Sequence, residues 1–167
     1  LQPYAVFHWF EEISSIPRGS GSTSAIAEWC VRFAKERELR FFRDEADNVV
    51  IFKEASPGYE GAPTIILQGH LDMVCEKAAG CTKDMSTEGL DLRCDGEWVW
   101  ADGTTLGGDD GIAAAMALAI LDDDSLPHPP LEVLLTSNEE IGLLGAQAFD
   151  ASVLQGRRML NLDHSEE

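Results

Sequence analysis

The sequence predicts an α/β domain with a mostly parallel sheet flanked by helices. Apolar segments typical of buried strands alternate with helical segments in the second half of the chain, an order that favours parallel strands joined by helices. The chain has 167 residues, 44% of them hydrophobic, and is therefore long enough to bury a core as one domain. None of its apolar runs approaches the roughly 18 residues of a membrane-spanning helix.

Two amphipathic helices and two strands are predicted for the N-terminal third. They are a helix over 4–16, a helix that begins after Ser22 or Thr23, and strands over 39–44 and 48–53. Apolar residues recur at helical spacing in the two helices, and the segment PRGSGS (17–22) separates them. Asp47 and Asn48 are typical turn residues between the two strands.

The remaining elements alternate between strand and helix. They are, in order, a strand over 64–68, a hairpin over 92–102, a helix over 112–121, a strand over 131–136, a short helix over 143–149 and a strand over 158–162. The hairpin is expected to turn at Asp95-Gly96. The helix over 112–121 is apolar almost all round, which indicates a buried position.

Composition limits the possible partners and compartment. The formal charge of −18 argues against a nucleic acid or an anionic membrane as partner, because phosphate groups would be repelled. The first residues lack the features of a signal peptide, so we expect a cytoplasmic protein. The four cysteines show no C-x-x-C spacing and are expected to be reduced thiols.

Ionisable side chains follow the ends of three predicted strands. They are His70 and Asp72 after the strand over 64–68, Glu139 and Glu140 after the strand over 131–136, and Asp163 and His164 after the strand over 158–162. The carboxyl edge of an open α/β sheet is where ligands bind, so parallel neighbouring strands would bring these groups together. Asp109 lies in the loop before the central helix and can join them.

Taken singly, each residue has an ordinary explanation. His70 could be a hydrogen-bonded loop histidine, Asp109 a helix cap, and the two glutamates a solvated strand end. Taken together, carboxylates crowded at one edge would repel each other unless cations neutralised them. Imidazole and carboxylates together suit a divalent metal, zinc before manganese or cobalt.

The spacing within the motifs indicates a site for two metals. In GTTLGGDDGI (103–112) the glycines around Asp109 permit close backbone approach and unusual dihedral angles, which a carboxylate shared by two metals would require. Asp72 stands two residues after His70 and can orient its imidazole, since positions i and i+2 of extended backbone share a face. The residues alone do not identify a substrate.

Four motifs in order resemble the M20 metallopeptidases. They are GHLDMV (69–74), GTTLGGDDGI (103–112), TSNEEIGLLGA (136–146) and NLD (161–163). The resemblance is strongest to the aminoacyl-histidine dipeptidase branch, also called Xaa-His dipeptidase or peptidase D. The segments FEEISSIPRGSGS (10–22) and DGEWVWADGTTLGGDDG (95–111) are similar to that branch in particular.

The resemblance implies a zinc-peptidase catalytic fold with two zinc ions, for which manganese or cobalt could substitute. His70 and Asp163 would bind one ion, Asp109 would bridge both, and Glu140 would bind the second. The peptide bond between Asp109 and Asp110 is expected to be cis, as the family tends to have it.

The resemblance also implies a reaction. The protein would hydrolyse unblocked dipeptides, with Xaa-His substrates such as carnosine favoured, by attack of a water that bridges the metals. Glu139 would be the general base and would later deliver the proton to the leaving amine. Asp72 would orient His70 and tune the ion that it binds.

Members of that branch are far longer than this chain. The resemblance therefore implies that residues 1–167 are the N-terminal portion of the catalytic domain, without the lid or dimerisation domain and the C-terminal catalytic segment. The second ion's histidine ligand and the homodimer contact would lie in those parts, so the isolated chain is expected to be inactive. His164 could substitute as a ligand, although its adjacency to Asp163 makes coincidence the better explanation.

Three other functions deserve comparison. Another M20 amidohydrolase, an aminoacylase or a tripeptidase, would share the same motifs. A non-catalytic cation-binding module would explain the acidic loop, but that loop lacks the alternation and terminal glutamate of an EF-hand. The GGDD stretch is similar to the acidic turn of diguanylate cyclases, but Gly111 follows where that turn has an aromatic residue.

Overall fold

A five-stranded sheet with helices on its faces organises the chain. The computed structural model describes residues 1–163. In chain order the elements are α1 (Tyr4–Ser14), α2 (Ser24–Glu36), β1 (Arg40–Arg43), β2 (Val49–Lys53), β3 (Ile65–His70), β4 (Leu92–Cys94), β5 (Val99–Ala101), α3 (Gly108–Asp122), β6 (Leu131–Thr136), α4 (Leu144–Ala148), a 3₁₀-helix (Ala151–Val153) and β7 (Arg158–Asn161). Every helix and strand predicted from the sequence is present.

The predicted mostly parallel sheet is confirmed. The strand order is β1-β2-β6-β3-β7, and β3 pairs in parallel with both β6 and β7. The strand β2 is antiparallel to β1 and to β6, so four of the five strands share one direction. His70 lies opposite Thr136, and Gln68 lies opposite Asn161, so the three parallel strands end at nearly the same level. The hairpin β4–β5 forms a separate two-stranded sheet.

The main core lies between one face of the five-stranded sheet and the helices α1, α2 and α3. Helix α3 presents mostly alanines to this core, and their small side chains let the helix pack closely on β3. A side-chain carbon at Gly69 would lie only 3.0 Å from Cβ of Ala113, which shows how tight that approach is. A smaller cluster that includes Val50, Ile66 and Leu134 covers the opposite face.

Buried charged groups anchor the sheet edge opposite to the ends of the parallel strands. The ammonium of Lys53 donates to the carbonyl oxygens of Leu121 at 2.9 Å and Asp123 at 3.1 Å, and so satisfies the C-terminus of α3. The carboxylate of Glu132 accepts the backbone N–H of Gln155 at 2.9 Å. These contacts hold loops in place far along the strands from His70.

Two helix starts differ in detail from the sequence-based expectation. Thr23 does occupy the position before α2, but its hydroxyl lies 3.5 Å from the carboxylate of Asp47 and caps no helical N–H. Helix α3 begins at Gly108, earlier than expected, and its first turn contains Asp109 and Asp110 with non-helical dihedral angles.

Within the part of the chain that the structure describes, no helix is both long and apolar enough to cross a membrane. All four cysteines are free.

Candidate metal centre

The ends of β3 and β6 and the start of α3 bring the predicted residues together around His70. This histidine is the last residue of β3 and is 1% exposed. Its Nε2 atom lies 3.1 Å from Oδ1 of Asp109 and 3.8 Å from Oε2 of Glu139. Potential ligand atoms of His70, Asp109 and Glu140 all lie within 4.8 Å of one another. The imidazole therefore stands at the centre of a cluster of carboxylates.

A second set of possible ligands shares the same histidine. Ligand atoms of His70, Asp110 and Asp163 also lie within 4.8 Å of one another. Asp163 follows β7, the strand next to β3, as the parallel order of the sheet predicts. The two groups thus share only His70: one joins it to Asp109 and Glu140, and the other joins it to Asp110 and Asp163.

Asp109 and Asp110 have different surroundings although they are adjacent. The side chain of Asp109 is 72% exposed, whereas Asp110 is buried and its Oδ2 accepts the backbone N–H of His70 at 3.0 Å. The bond between the two aspartates is cis, which confirms the expectation drawn from the resemblance. The carboxylate of Asp109 is thus accessible to a metal beside Nε2 of His70, while Asp110 holds the end of β3.

Asp72 connects the histidine to the loop that carries the glutamates. Its carboxylate is fully buried and accepts the Ser20 hydroxyl at 2.7 Å and the backbone N–H groups of Glu139 at 2.9 Å and Glu140 at 3.3 Å. Nδ1 of His70 lies 3.0 Å from the carbonyl oxygen of Asp72 and 3.4 Å from its Oδ1. A proton on Nδ1 would be held there, which leaves Nε2 to face Asp109 and a metal.

The cluster shifts the pKa values of its members in opposite directions. Burial alone would lower the pKa of His70, but the hydrogen bond and the charge of Asp72 outweigh it and raise that pKa to about 9. Burial also opposes ionisation of Asp72, but hydrogen bonds from His70, Ser20 and Glu139 lower its pKa to about 2. Without metal, the predominant form of the site near neutral pH is therefore an ion pair between protonated His70 and ionised Asp72.

The other carboxylates around His70 are crowded. Burial, with the charges of Asp163 and Asp109, raises the pKa of Asp110 to about 6 despite its contacts with His70. Burial and the charge of Asp109 raise the pKa of Glu140. A divalent cation would relieve this repulsion, and one imidazole with several carboxylates is a donor set that suits such an ion. The residues present therefore fit a site for a divalent metal.

Sequence reasoning identified the cluster but missed part of its support. All six predicted site residues converge; Asp110 was expected only to begin the helix, and Ser20 and Asn48 were expected only in a loop and a turn. Asn48 is buried, and its Oδ1 accepts the backbone N–H of Ser137 at 3.0 Å, at the start of the loop that carries the glutamates. The suggestion that His164 substitutes as a ligand falls outside the described residues.

Metal binding to this site is expected to release a proton. His70 is protonated near pH 7 because its pKa is raised to about 9, and a metal can bind only the neutral imidazole. Zinc affinity should therefore increase as the pH rises from 6.5 towards 9. Calorimetric zinc titration in buffers of different ionisation enthalpy would give the number of protons released.

A matched control is available for that measurement. His128 is also buried, but its Nδ1 contacts the carbonyl of Pro129 and it belongs to neither group of possible ligands. His128→Asn should leave the proton release unchanged, whereas His70→Asn should remove it together with most of the affinity. Equal proton release in both variants would exclude His70 as a ligand.

The chain and its fold are similar to known peptidases. No protein-family model matches the chain. Cytosol non-specific dipeptidase from Escherichia coli is 42% identical over all 167 residues, which cover 34% of that protein. The crystal structure of aminoacylhistidine dipeptidase from Vibrio alginolyticus superposes with a TM-score of 0.95 and 41% identity, over 100% of this chain and 34% of that one. A tripeptidase from Staphylococcus aureus, 23% identical, shares the fold over 97% of this chain and 43% of its own, with a TM-score of 0.80.

The fold is that of an M20 peptidase catalytic domain. The carboxylate cluster lies at the carboxyl ends of its parallel strands. The chain spans about a third of the length of the similar dipeptidases. Over that third it is homologous to aminoacylhistidine dipeptidase, peptidase D of the M20 family.

Proposed function

We propose that the protein containing this chain is a zinc-dependent dipeptidase that hydrolyses unblocked dipeptides, with Xaa-His substrates favoured. The observation that carries the proposal is the 42% identity along the whole chain to a protein named a dipeptidase. The cluster around His70 supports it, because an imidazole among crowded carboxylates suits a divalent metal. The activity is proposed for the whole protein, since the chain spans 34% of that relative.

The proposed ligands follow the family motifs. His70 and Asp163 would hold one zinc ion, Asp109 would bridge to a second ion, and Glu140 would hold that second ion. The proximity of Asp163 to His70, and of Glu140 to Asp109, supports this assignment. When bound, zinc would supply Lewis-acid polarisation of the scissile carbonyl and would lower the pKa of a water molecule.

Glu139 is the proposed general base. Its carboxylate lies 3.8 Å from Nε2 of His70, beside the proposed ligands but not hydrogen-bonded to that ring. It would take a proton from the attacking water and return it to the leaving amine as the peptide bond breaks. Asp72 would hold both the imidazole of His70 and the backbone N–H of Glu139, and so fix the base relative to the ligands.

Three further points stay predictions. They are that residues 1–167 form the N-terminal portion of the catalytic domain, that the protein forms a homodimer through a further domain, and that it is cytoplasmic. The location is supported by the name of the Escherichia coli relative. The proposed partner is a small peptide, and the charge of −18 argues against nucleic acid or an anionic membrane surface.

The test is a substrate panel on the full-length, zinc-loaded protein. The panel contains Xaa-His dipeptides, other dipeptides, a tripeptide and an N-acyl amino acid. We expect dipeptides to be hydrolysed, and Glu139→Gln to lower kcat by about 10²–10⁴ because the general base is lost. The exposed Glu45 provides a control, since Glu45→Gln should leave kcat unchanged.

Each other outcome would contradict the proposal in a distinct way. Cleavage of the N-acyl amino acid with intact dipeptides would indicate an aminoacylase, and cleavage of the tripeptide alone would indicate a tripeptidase. Zinc binding without any hydrolysis would indicate a non-catalytic cation-binding module.

A further inference from the structure

The loop between α1 and α2 lies against the segment that follows β3. The backbone N–H of Ser20 donates to the carbonyl of Met73 at 3.2 Å, and the N–H of Met73 donates to the carbonyl of Arg18 at 3.1 Å. The two segments thus pair in parallel for a short distance, with Gly19 opposite Met73. The PRGSGS segment is therefore hydrogen-bonded to the residues that follow β3, next to the candidate metal centre.

Arg18, within this loop, connects two separate parts of the centre. Its side chain is buried, and its Nη1 donates to the carbonyl of Leu71 at 3.1 Å, directly after His70. Its Nη2 donates to the carbonyl of Gly107 at 2.6 Å, two residues before Asp109. One guanidinium group therefore holds both the segment that carries the histidine and the loop that carries the exposed aspartate.

Two glycines of the GGDDG stretch provide the space for this guanidinium. A side-chain carbon at Gly107 or at Gly111 would lie 2.5 Å from Nη2 of Arg18, closer than real side-chain carbons approach. Gly107 also has a φ of +63°, a conformation that favours glycine. The glycines are thus required by Arg18 and the loop as well as by the aspartates between them.

The two-segment contact explains why an arginine stands at this position. The planar guanidinium has several N–H groups in a fixed fork, so it can donate to carbonyls of two segments at once. A lysine would keep the charge, but its single ammonium could not reproduce the separate contacts of Nη1 and Nη2. Residues that hold metal ligands in place commonly affect metal affinity about 10–100-fold.

We propose that Arg18 is a positioning residue of the metal centre: it fixes the spacing between the segment of His70 and the loop of Asp109. The proposal rests on the proposed function for the identity of these two ligands. Arg18 touches neither of the ligand side chains among its hydrogen-bond partners, so its effect would come through the backbone.

The chain offers a matched control in Lys53. This lysine is also a buried cation that donates to several backbone carbonyls, but it does so at the C-terminus of α3, the end of that helix away from Asp109. Lys53→Met should therefore lower stability without changing the metal centre. Arg18→Lys retains the charge and most of the volume, which makes it the variant most able to fold.

The experiment combines two measurements on the full-length protein. Cobalt titration, followed by visible absorption, gives metal affinity. Amide hydrogen exchange without metal reports on the N–H groups of His70, which donates to Asp110, and of Gly111, which donates to Gly107. We expect Arg18→Lys to lower cobalt affinity about 10-fold or more and to speed exchange at both amides. Lys53→Met should speed exchange only as far as its global stability falls.

The outcomes separate this inference from the proposed function. Equal cobalt affinity and equal exchange in wild type and Arg18→Lys would overturn the role of Arg18. Absence of cobalt binding to the wild-type protein would count against the metal site itself. In that case, faster exchange at His70 and Gly111 in Arg18→Lys would still support the positioning of the two segments. Unchanged exchange would overturn the positioning role of Arg18. If Arg18→Lys is too unstable to test, Gly111→Ala, whose new side chain would displace the guanidinium, should produce the same two changes.

Discussion

Replacing Asp109 with asparagine is expected to lower zinc affinity at least about 100-fold and to leave the stability of the metal-free chain close to that of wild type. As the proposed bridging ligand, Asp109 should affect affinity more than the 10–100-fold typical of residues that only orient ligands. The side chain of Asp109 is 72% exposed, so folding gains little from it. Its charge raises the pKa values of Asp110 and Glu140, so removing it also relieves repulsion in the metal-free site.

Asp110→Ala is the matched variant, because it changes the adjacent carboxylate. Asp110 is buried and accepts the N–H of His70, so the alanine variant should lose about 1–3 kcal/mol of unfolding free energy by leaving that donor unsatisfied. Its zinc affinity should fall less than that of Asp109→Asn. Zinc competition with a chromogenic chelator and urea unfolding with EDTA measure the two effects. Small and equal losses of affinity in both variants would reduce the stretch to an ordinary helix start.

The sheet could be predicted because its strands have a strong apolar signal. The segments that became β3 and β6 are apolar in succession, and helical segments between them favoured a parallel arrangement. Side chains just after such strands must lie at one edge, so His70 and Glu140 could be placed together without knowing the fold in detail. The start of α3 was less predictable, since its first turn departs from helical geometry at Asp109 and Asp110.

The support of the metal centre could not be predicted, because it consists of contacts between distant residues. Arg18 donates a hydrogen bond to the carbonyl of Gly107, which lies 89 residues away in the sequence. Asn48 accepts one from the backbone of Ser137 at the same sequence separation. No local periodicity indicates which loop arginine will be buried. For this reason the glycines around Asp109 were interpreted only as room for a shared carboxylate, whereas the structure shows that Gly107 and Gly111 also make room for the Arg18 guanidinium.

Replacing Asp72 with asparagine is expected to have the largest effect on the stability of the metal-free chain. The carboxylate of Asp72 is fully buried and accepts hydrogen bonds from Ser20 and from the backbone of Glu139, and it pairs with the imidazolium of His70. An amide has one acceptor oxygen in place of two and no charge. The variant should therefore lose about 1.5–3 kcal/mol, the range for hydrogen bonds to charged groups.

The pH dependence of that loss identifies its source. The pKa of Asp72 is lowered from 3.8 to about 2, so its contribution to stability is present above pH 4 and is lost as the pH falls towards 2. The pKa of His70 is raised from 6.5 to about 9, so its contribution is complete below pH 6.5 and is lost as the pH rises through 9. The difference between wild type and Asp72→Asn should be largest between about pH 4 and pH 6.5.

Urea unfolding with EDTA at pH 3, 5.5 and 9 would measure this profile. Asp84→Asn is the control, because Asp84 also accepts a serine hydroxyl, from Ser86, but is exposed and far in sequence from His70. Its effect should be small at every pH. A constant loss across all three pH values in Asp72→Asn would mean that neither the charge of Asp72 nor that of His70 contributes. A loss that is equal at pH 5.5 and 9 but smaller at pH 3 would mean that the hydrogen bonds from Ser20 and Glu139 to the carboxylate dominate. A loss confined to pH 5.5 would mean that the pair with His70 dominates. Zinc binding would then replace the proton on His70, so that one buried cation beside Asp72 is exchanged for another.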